Sequence, residues 1–179
     1  MAIQKDITPQ ELRLLLVESA KEVFEKMVSM PIQPVDKEEI DFGGEGKHYS
    51  AVIGFSGGWK GFVTLQCTQS LAAQITGKLL YMDAAQVGPD DMRDAIGEMV
   101  NMVGGRFKSG FAEHFNDGAE AFKMSIPTVT FGQDFKVFAA GDNAQIMVVL
   151  DANRSLLSLD LTLKQGGSKF SHSATSLLT

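Results

Sequence analysis

The sequence has few of the residues from which several common kinds of site are built. Its 179 residues include one cysteine, Cys67, and three histidines, His48, His114 and His172. One cysteine excludes an internal disulfide, and its position in the apolar run of residues 61–67 predicts a buried structural thiol. The histidines are scattered without metal-ligand spacing, which argues against a metal held by this chain and against a histidine-based triad.

Positive charge and long apolar runs are also scarce. Lysine and arginine total 16 against 22 acidic residues, a net charge of −6 at pH 7, and such a balance argues against a general nucleic-acid binder. No apolar run approaches the length that spans a bilayer, and residues 1–10 lack the basic region and apolar core of a signal peptide. We therefore expect a cytoplasmic protein without a membrane or nucleic-acid partner, and a protein partner fits better.

The composition is that of an ordinary globular domain. Hydrophobic residues make up 44% of the chain and charged residues 21%, close to the average for soluble domains. The length suits one domain with a core of its own. We predict a single domain over residues 1–165, followed by a flexible tail over residues 166–179, which is rich in serine, threonine and glycine.

The order of helical and strand patterns predicts an α+β fold. Apolar residues at helical spacing predict long helices over residues 9–28 and 89–111, and a shorter one follows a cap at Thr68 or Ser70. Five or six strands are predicted from the runs that alternate or are rich in β-formers: residues 49–55, 61–67, 121–130, 135–140, 145–150 and 155–164. Short turns join the strand pairs, so we expect a two-layer fold, with a mostly antiparallel sheet and long helices packed on one face.

Two local features refine this prediction. Pro127 removes a ladder donor, so its run is predicted to be an edge strand or a strand with a bulge. The glycine-rich residues 54–61 contain a lysine but lack the spacing of a phosphate-binding loop, and no helix follows them directly. A hairpin turn at Gly57 and Gly58 is the better explanation.

The helix over residues 89–111 has two distinct faces. One is an apolar stripe that should be buried, formed by Met92, Ile96, Val100, Val103, Phe107 and Phe111. A narrow polar row lies nearly opposite, formed by Asp94, Glu98, Asn101 and Gly105. Met99 and Met102 flank this row and are candidates for partner contact.

The glycines around the polar row lower the stability of the helix. Each glycine in a helix interior gives up about 1 kcal/mol against alanine, and this helix contains Gly97, Gly104 and Gly105. Glycines beside a polar row would let another protein come close, and local rules broken without structural gain tend to mark function. The alternative is that Asp94 and Glu98 are ordinary solvated residues, and the pattern alone does not decide between the two.

The string DAIGEMVNMVGG, residues 94–105, resembles the signature of the CheC and CheX chemotaxis phosphatases. That signature is an acidic or serine residue, a glutamate four residues on, an asparagine three further, and glycine shortly after. The flanks add to the resemblance: AVIGFSGGWKGFVTLQC looks like the family's paired strands, and SIPTVTFG like its proline-containing strand. The resemblance spans roughly residues 9–164.

The resemblance implies dephosphorylation of the aspartyl phosphate on a CheY-like response regulator, and a homodimer formed by pairing of edge strands. Members with two active helices repeat the motif. Here the first helix offers Glu18, Glu22 and Glu25, with Glu25 where asparagine would be required, so that helix looks inactive. A single-site, CheX-like protein fits better than a two-site, CheC-like one.

The mechanism that we expect assigns a role to each residue of the motif. Asn101 would hold the attacking water, because an amide offers both a donor and an acceptor on a short stem. Glu98 would pair with the lysine that response regulators carry at their phosphorylation site. The remaining expected contacts with the partner are Asp94, Met102, Gly104 and Gly105. Asp94 has two alternative roles, to support Glu98 or to be solvated. Mg2+ would belong to the partner rather than to this chain.

A second class of function stays open. The same fold resembles non-catalytic relatives, including flagellar switch components and adaptor domains, in which the helix face only binds. Those relatives typically lack the glutamate and asparagine pair that this chain has. A small-molecule enzyme is not supported, because no convergent set of titratable residues is present.

Overall fold

Three α-helices pack on one face of an antiparallel sheet, as predicted, and the sheet has seven strands among the described residues. The structure, a computed structural model, describes residues 7–42, 46–115, 122–135, 137 and 144–165. The predicted tail, residues 166–179, lies outside them, so the division at residue 165 stays a prediction. The elements are α1 (Pro9–Val28), β1 (Ile32–Pro34), β2 (His48–Ser56), β3 (Trp59–Thr68), α2 (Gln69–Leu80), α3 (Pro89–Phe115), β4 (Lys123–Met124), β5 (Thr128–Gly132), β6 (Ala144–Ala152) and β7 (Ser155–Gln165).

The helix ends follow from residues that satisfy the backbone there. Thr8 caps α1, and its hydroxyl accepts from the Glu11 N–H at 3.2 Å while the Glu11 carboxylate accepts from the Thr8 N–H at 3.0 Å. This is a capping box. Thr68 caps α2 by accepting from the Leu71 N–H, which selects one of the two predicted caps. No helix among the described residues is long and apolar enough to cross a bilayer.

Two tight turns set the register of the central strands. Gly57 and Gly58 join β2 to β3, as predicted, and Gly57 has a φ of 120°. Asn153 and Arg154 join β6 to β7 with φ of 54° and 66°, and positive φ at both positions is what a two-residue hairpin of matching twist requires. The strand order is β1-β6-β7-β3-β2-β4, with β5 also paired to β2.

Pro127 divides the predicted edge strand into two short ones. Both β4 and β5 pair with β2, so the edge position is confirmed. Between them, the Gly54 N–H donates to the Ser125 hydroxyl at 2.9 Å and the Gly54 carbonyl accepts from the Ser125 N–H at 2.9 Å. These bonds satisfy the backbone where the ladder is interrupted.

The strand count exceeds the prediction of five or six for local reasons. One additional strand comes from the division at Pro127. The other is β1, three residues that pair with the end of β6 and are too short to produce a pattern of their own. The predicted strand over residues 135–140 falls mostly outside the described residues.

The core lies between the helices and the near face of the sheet. Phe55 of β2 and Phe107 and Phe111 of α3 meet Phe122 in a cluster with ring centroids 4.9 to 6.3 Å apart. Cys67 is fully buried in the same core. Burial raises the pKa of its thiol to about 12, so the thiol is structural, as predicted.

Candidate functional site

The site helix α3 starts at a well-defined point. Pro89 opens it, and the Gly88 N–H donates to the Asp91 carboxylate at 3.2 Å. Asp90 and Asp91 occupy the first turn, where negative charge stabilises the exposed backbone donors. The helix continues to Phe115, one turn beyond the predicted end.

The two predicted faces of α3 are confirmed. The buried stripe consists of the six predicted residues, Met92, Ile96, Val100, Val103, Phe107 and Phe111. On the other side, Asp94 and Glu98 are exposed, and Asn101 and Gly105 are partly exposed. Glu98 and Asn101 are three residues apart, which places their Cβ atoms about 5–6 Å from each other on one face.

The Glu98 carboxylate and the Asn101 amide are available for an external partner. Among the described residues, neither side chain has a hydrogen bond or ion pair with another side chain. A carboxylate and an amide therefore stand side by side at the surface. Such a pair can accept from a cationic group and position a water molecule.

Asp94 has a local partner that the sequence reasoning missed. Arg93 contacts the Asp94 carboxylate at 3.0 Å and the Asp90 carboxylate at 2.8 Å. These contacts raise the pKa of the Arg93 guanidinium, with the Asp94 hydrogen bond as the largest cause. The side chain of Asp94 is 73% exposed, so this pair contributes little to stability. Its effect is to place one cation at the border of the polar row.

Three of the four glycines of α3, Gly97, Gly104 and Gly105, serve different purposes. At Gly97, a Cβ would lie 3.2 Å from Val129 of β5, and at Gly104 it would lie 2.8 Å from Ile53 of β2. Both glycines are buried and allow the helix to lie close to the sheet. Gly105 has nothing within 4 Å of such a Cβ. Both Gly104 and Gly105 were predicted to let a partner protein come close to the helix. Gly105 allows this. Gly104 lacks a side chain because it packs inside the protein.

The two methionines beside the polar row also differ. Met99 is fully buried in the core, so its predicted availability to a partner is wrong. Helical geometry places it next to the buried stripe, and Met99 belongs to the same core cluster as the residues of that stripe. Met102 is partly buried and packs against the edge of the core, and part of its side chain reaches the surface beside Asn101.

A shallow groove of about 310 Å³ runs beside the polar row. Its lining residues are Arg93, Asp94, Gly97, Glu98, Pro127 and Val129. Ile126, next to Pro127, is 87% exposed and adds an apolar side chain to the rim of the groove. An open groove with an exposed apolar rim suits another protein's surface better than an enclosed small molecule.

The corresponding positions of α1 are arranged differently. Glu22 contacts Arg106 of α3 at 2.5 Å and Lys26 at 2.6 Å. The hydrogen bond from Lys26 and then that from Arg106 lower the pKa of the Glu22 carboxyl to about 2. The carboxylate that would match Glu98 is thus already paired. Glu25 stands at the surface where an amide would be needed, and both observations agree with an inactive first helix.

Metal ligands do not converge among the described residues, where no group of three or more histidine, cysteine, aspartate or glutamate side chains could hold an ion. His48 is buried between the rings of Phe42 and Phe135, and His114 lies in the last turn of α3. His172 lies outside the described residues.

The fold and the exposed face of α3 define a class of protein, a two-layer α+β domain that presents a glutamate and an asparagine on one helix. Residues 49–151 match the family model described as chemotaxis phosphatase CheX. This match covers more than half of the chain, and the chain belongs to the CheX family. No curated protein matches the sequence.

Solved structures share the fold at low sequence identity. Chemotaxis protein CheX from Vibrio vulnificus has a TM-score of 0.74 and 19% identity, covering 89% of this chain and 100% of that one. A chain of the CheX-CheY-BeF3-Mg2+ complex from Borrelia burgdorferi has a TM-score of 0.65 and 14% identity, covering 85% and 97%. FliY from Thermotoga maritima has a TM-score of 0.62 and 16% identity, covering 88% and 92%.

Proposed function

We propose that this chain is a phosphatase that hydrolyses the aspartyl phosphate of a CheY-like response regulator. The observation that carries the proposal is the pairing of Glu98 and Asn101 on the exposed face of α3, one turn apart and without side-chain partners among the described residues. The groove beside them is shallow, which suits a substrate that brings its own phosphorylated pocket.

In this proposal Asn101 positions the attacking water. Phosphoryl transfer proceeds through a loose transition state, so a helper protein has to supply little covalent chemistry. The Asn101 amide would hold one water in line with the bond between phosphorus and the aspartyl oxygen. Attack of that water yields inorganic phosphate and returns the partner's aspartate as a free carboxylate. Positioning of this kind is worth about 100-fold in rate or more.

In this proposal Glu98 binds the partner protein and so positions α3 on it. The neighbouring residues of the polar row lie at the edge of that contact. The Glu98 carboxylate would pair with the lysine at the partner's phosphorylation site. Gly105, open to solvent on the same row, would let the partner's backbone approach, and Met102 would add apolar contact beside Asn101. Asp94 would contact the partner at the rim, together with Arg93. The Mg2+ ion of the reaction would be held by the partner.

The family description supports this proposal, because the matched model is that of a chemotaxis phosphatase. The solved complex from Borrelia burgdorferi contains a CheX and a CheY together with BeF3 and Mg2+. By analogy, a receiver domain of the CheY type is the partner that we propose here. A cytoplasmic location and a homodimer remain part of the same proposal.

The test is phosphate release from a phosphorylated receiver domain. We expect Asn101→Ala to retain the fold and to lower the rate by about 100-fold or more, because the water loses its support. Glu98→Ala should chiefly weaken binding of the receiver. Glu25→Ala, an exposed change on α1, is the matched control and should leave turnover unchanged. Full turnover by Asn101→Ala with an intact circular dichroism spectrum would rule out the mechanism.

The second candidate is a non-catalytic adaptor that binds a response regulator through the same face. The groove beside the polar row is shallow and open, which is compatible with binding alone and keeps this class in consideration. The two functions differ in one measurement, since an adaptor would bind the phosphorylated receiver without accelerating release of phosphate. The glutamate and asparagine pair favours the phosphatase.

A further inference from the structure

Four large apolar side chains are exposed where the helices α1 and α2 end. They are Met27 of α1, Leu80 of α2, and Tyr81 and Met82 of the segment that follows α2. Among the described residues, the other exposed large apolar side chains are scattered over the fold: Leu14, Ile126 and Phe131. Single apolar residues are normal on a protein surface, but a group at one place is typical of an interaction site.

An open groove of about 470 Å³ lies between the ends of the two helices. Its apolar lining is formed by Met27, Val28, Tyr81, Met82 and Ala84. None of the residues that line it is acidic, and none belongs to a strand. Methionine side chains adapt their shape to a partner, and an aromatic ring supplies a large contact area, so this lining is suited to binding another protein.

Tyr81 has an uncommon backbone conformation while its side chain stands in solvent. It is the residue at which α2 ends, with φ 55° and ψ 41°, a left-handed conformation in which glycine is the usual residue. Tyr81 is also 97% exposed, so its ring contributes almost nothing to the core. The packing of the fold does not explain a strained tyrosine here, and such strain is typical of functional positions.

The segment that carries Tyr81 and Met82 is fixed against α2. The Met82 N–H donates to the Gly77 carbonyl at 2.8 Å, and the Tyr81 N–H donates to the same carbonyl. A Cβ at Gly77 would lie 2.8 Å from the Met82 carbonyl oxygen, so the missing side chain lets the segment pack on the helix. The exposed side chains are therefore held on an ordered backbone, which lowers the entropy cost of binding.

The groove carries positive charge, although the chain as a whole has a net charge of −6. Lys26 and Lys78 both line it. Lys26 is paired with Glu22 at 2.6 Å, whereas Lys78 has no ion pair among the described residues. The nearby Asp83 carboxylate accepts from the Ala85 N–H and does not line the groove. A lysine beside an apolar lining complements an occupant with apolar and acidic side chains.

We propose that this groove binds a short amphipathic helix of a partner protein, with acidic side chains beside its apolar face. Its apolar face would pack on Met27, Tyr81 and Met82, and one of its carboxylates would pair with Lys78. An extended peptide fits less well, because it binds by pairing with the edge of a sheet and no strand lines this groove.

This groove is separate from the proposed phosphatase face. It shares no lining residue with the groove beside Glu98, and no residue of α3 lines it. The proposal therefore does not rest on the phosphatase activity. Asn101→Ala should bind a helical peptide as the unaltered chain does, even where its phosphatase turnover is lost.

Selection from a phage library of random peptides, each long enough for about four helical turns, tests the proposal. The unaltered chain is the target, and we expect the enriched peptides to combine net negative charge with apolar residues at helical spacing. Fluorescence anisotropy with a labelled synthetic copy of the most enriched peptide then measures its affinity for the chain and its variants.

Tyr81→Gly separates a binding role of the side chain from a structural one. The affinity for the selected peptide should fall about 10-fold or more, because a tyrosine at the centre of an interface carries much of the binding energy. The midpoint of thermal unfolding should rise at the same time, because glycine adopts the left-handed conformation without strain. Leu14→Ala shortens an exposed apolar side chain elsewhere on α1 and should leave the affinity unchanged.

Lys78→Glu tests the charge of the occupant. It should weaken binding of the selected acidic peptide about 10-fold or more, and it should strengthen binding of a counterpart in which lysines replace the acidic residues. Lys60→Glu makes the same reversal at an exposed position of β3 outside the groove and should bind both peptides as the unaltered chain does.

The proposal would be overturned if no peptide is enriched, or if the enriched peptides bind Tyr81→Gly as tightly as the unaltered chain. Enrichment of basic or uncharged peptides would contradict an acidic occupant. A dimer, measured by light scattering, that is lost in Tyr81→Gly would assign the groove to a second copy of this chain instead of a partner's helix.

Discussion

Two adjacent glycines of α3, Gly104 and Gly105, have different roles, which the sequence pattern alone does not distinguish. Gly104 and Gly105 are adjacent, and both follow the motif residues. A Cβ at position 104 would lie 2.8 Å from Ile53, whereas a Cβ at position 105 would meet nothing within 4 Å. One glycine therefore belongs to the packing between the helix and the sheet, and the other belongs to the surface.

The matched pair of alanine substitutions tests this assignment. Gly104→Ala should lower the free energy of unfolding by about 1–3 kcal/mol, because the added methyl group overpacks a core contact. Gly105→Ala should raise it by up to about 1 kcal/mol through helix propensity. Urea unfolding followed by circular dichroism measures both changes.

Phosphatase turnover of Gly105→Ala tests whether Gly105 belongs to the docking surface. Gly105→Ala should lower phosphatase turnover despite its greater stability, because the methyl group stands where the partner's backbone approaches. Activity equal to that of the unaltered chain in Gly105→Ala would place the docking surface elsewhere on α3.

At the scale of elements, the contact between α1 and α3 is reinforced by one charged pair, Glu22 and Arg106. The pKa of Glu22 is lowered from 4.5 to about 2 by Lys26 and Arg106. A lowered pKa means that the folded state favours the ionised form. The contribution to stability is therefore present above pH 4.5 and is lost as the pH falls through about 2.

Comparison of Glu22→Gln with the unaltered chain tests this pH dependence. The variant should be less stable near neutral pH, and the difference should shrink between pH 4.5 and about 2. Because both side chains are partly exposed, salt should also reduce the difference. Denaturant unfolding at a series of pH values measures it, and a difference that does not change with pH would contradict the assignment.

The elements also show how far the sequence could predict this molecule. The bounds of α1, the β2–β3 hairpin and both faces of α3 follow from local signals: a capping box, a pair of glycines and helical periodicity. Short elements carry no such signal, which is why β1 was not predicted. The pairing of Glu22 with Arg106 and the burial of Met99 depend on which segments meet in space, and a single sequence does not state this. The contacts of Arg93 with Asp90 and Asp94 are local, and the sequence reasoning missed them.

The burial of Asp160 shows the same limit. In the sequence, Asp160 is one polar residue in the alternating run of β7, where alternation predicts an ordinary solvated position. In the fold it is only 6% exposed. Alternation places Asp160 on the face opposite the leucines, but it does not predict that this position is buried.

At the scale of the whole molecule, the sheet has two edges among the described residues. β1 offers three residues and includes Pro34, whereas β5 offers five residues paired on one side to β2. A longer strand without proline is the better template for pairing with a second chain. The proposed homodimer should therefore form through β5.

Two lysine substitutions distinguish the edges. Thr130→Lys on β5 should yield a monomer, because a charge on an edge strand opposes pairing. Gln33→Lys on β1 should leave the dimer intact, at twice the chain mass of 19.4 kDa. Light scattering on the purified variants measures the mass. A monomeric unaltered chain would refute the proposed dimer, and a monomer only in Gln33→Lys would move the interface to the other edge.

The position of α3 within the fold determines how well the proposed site resists denaturation. This helix packs against α1, α2, β2, β3 and β5, so we expect the backbone amides of its central turns to exchange their hydrogens with solvent only when most of the molecule opens. Fraying at the ends of the chain would leave Glu98 and Asn101 in register. The site should accordingly survive partial denaturation and disappear only with the cooperative loss of the entire domain.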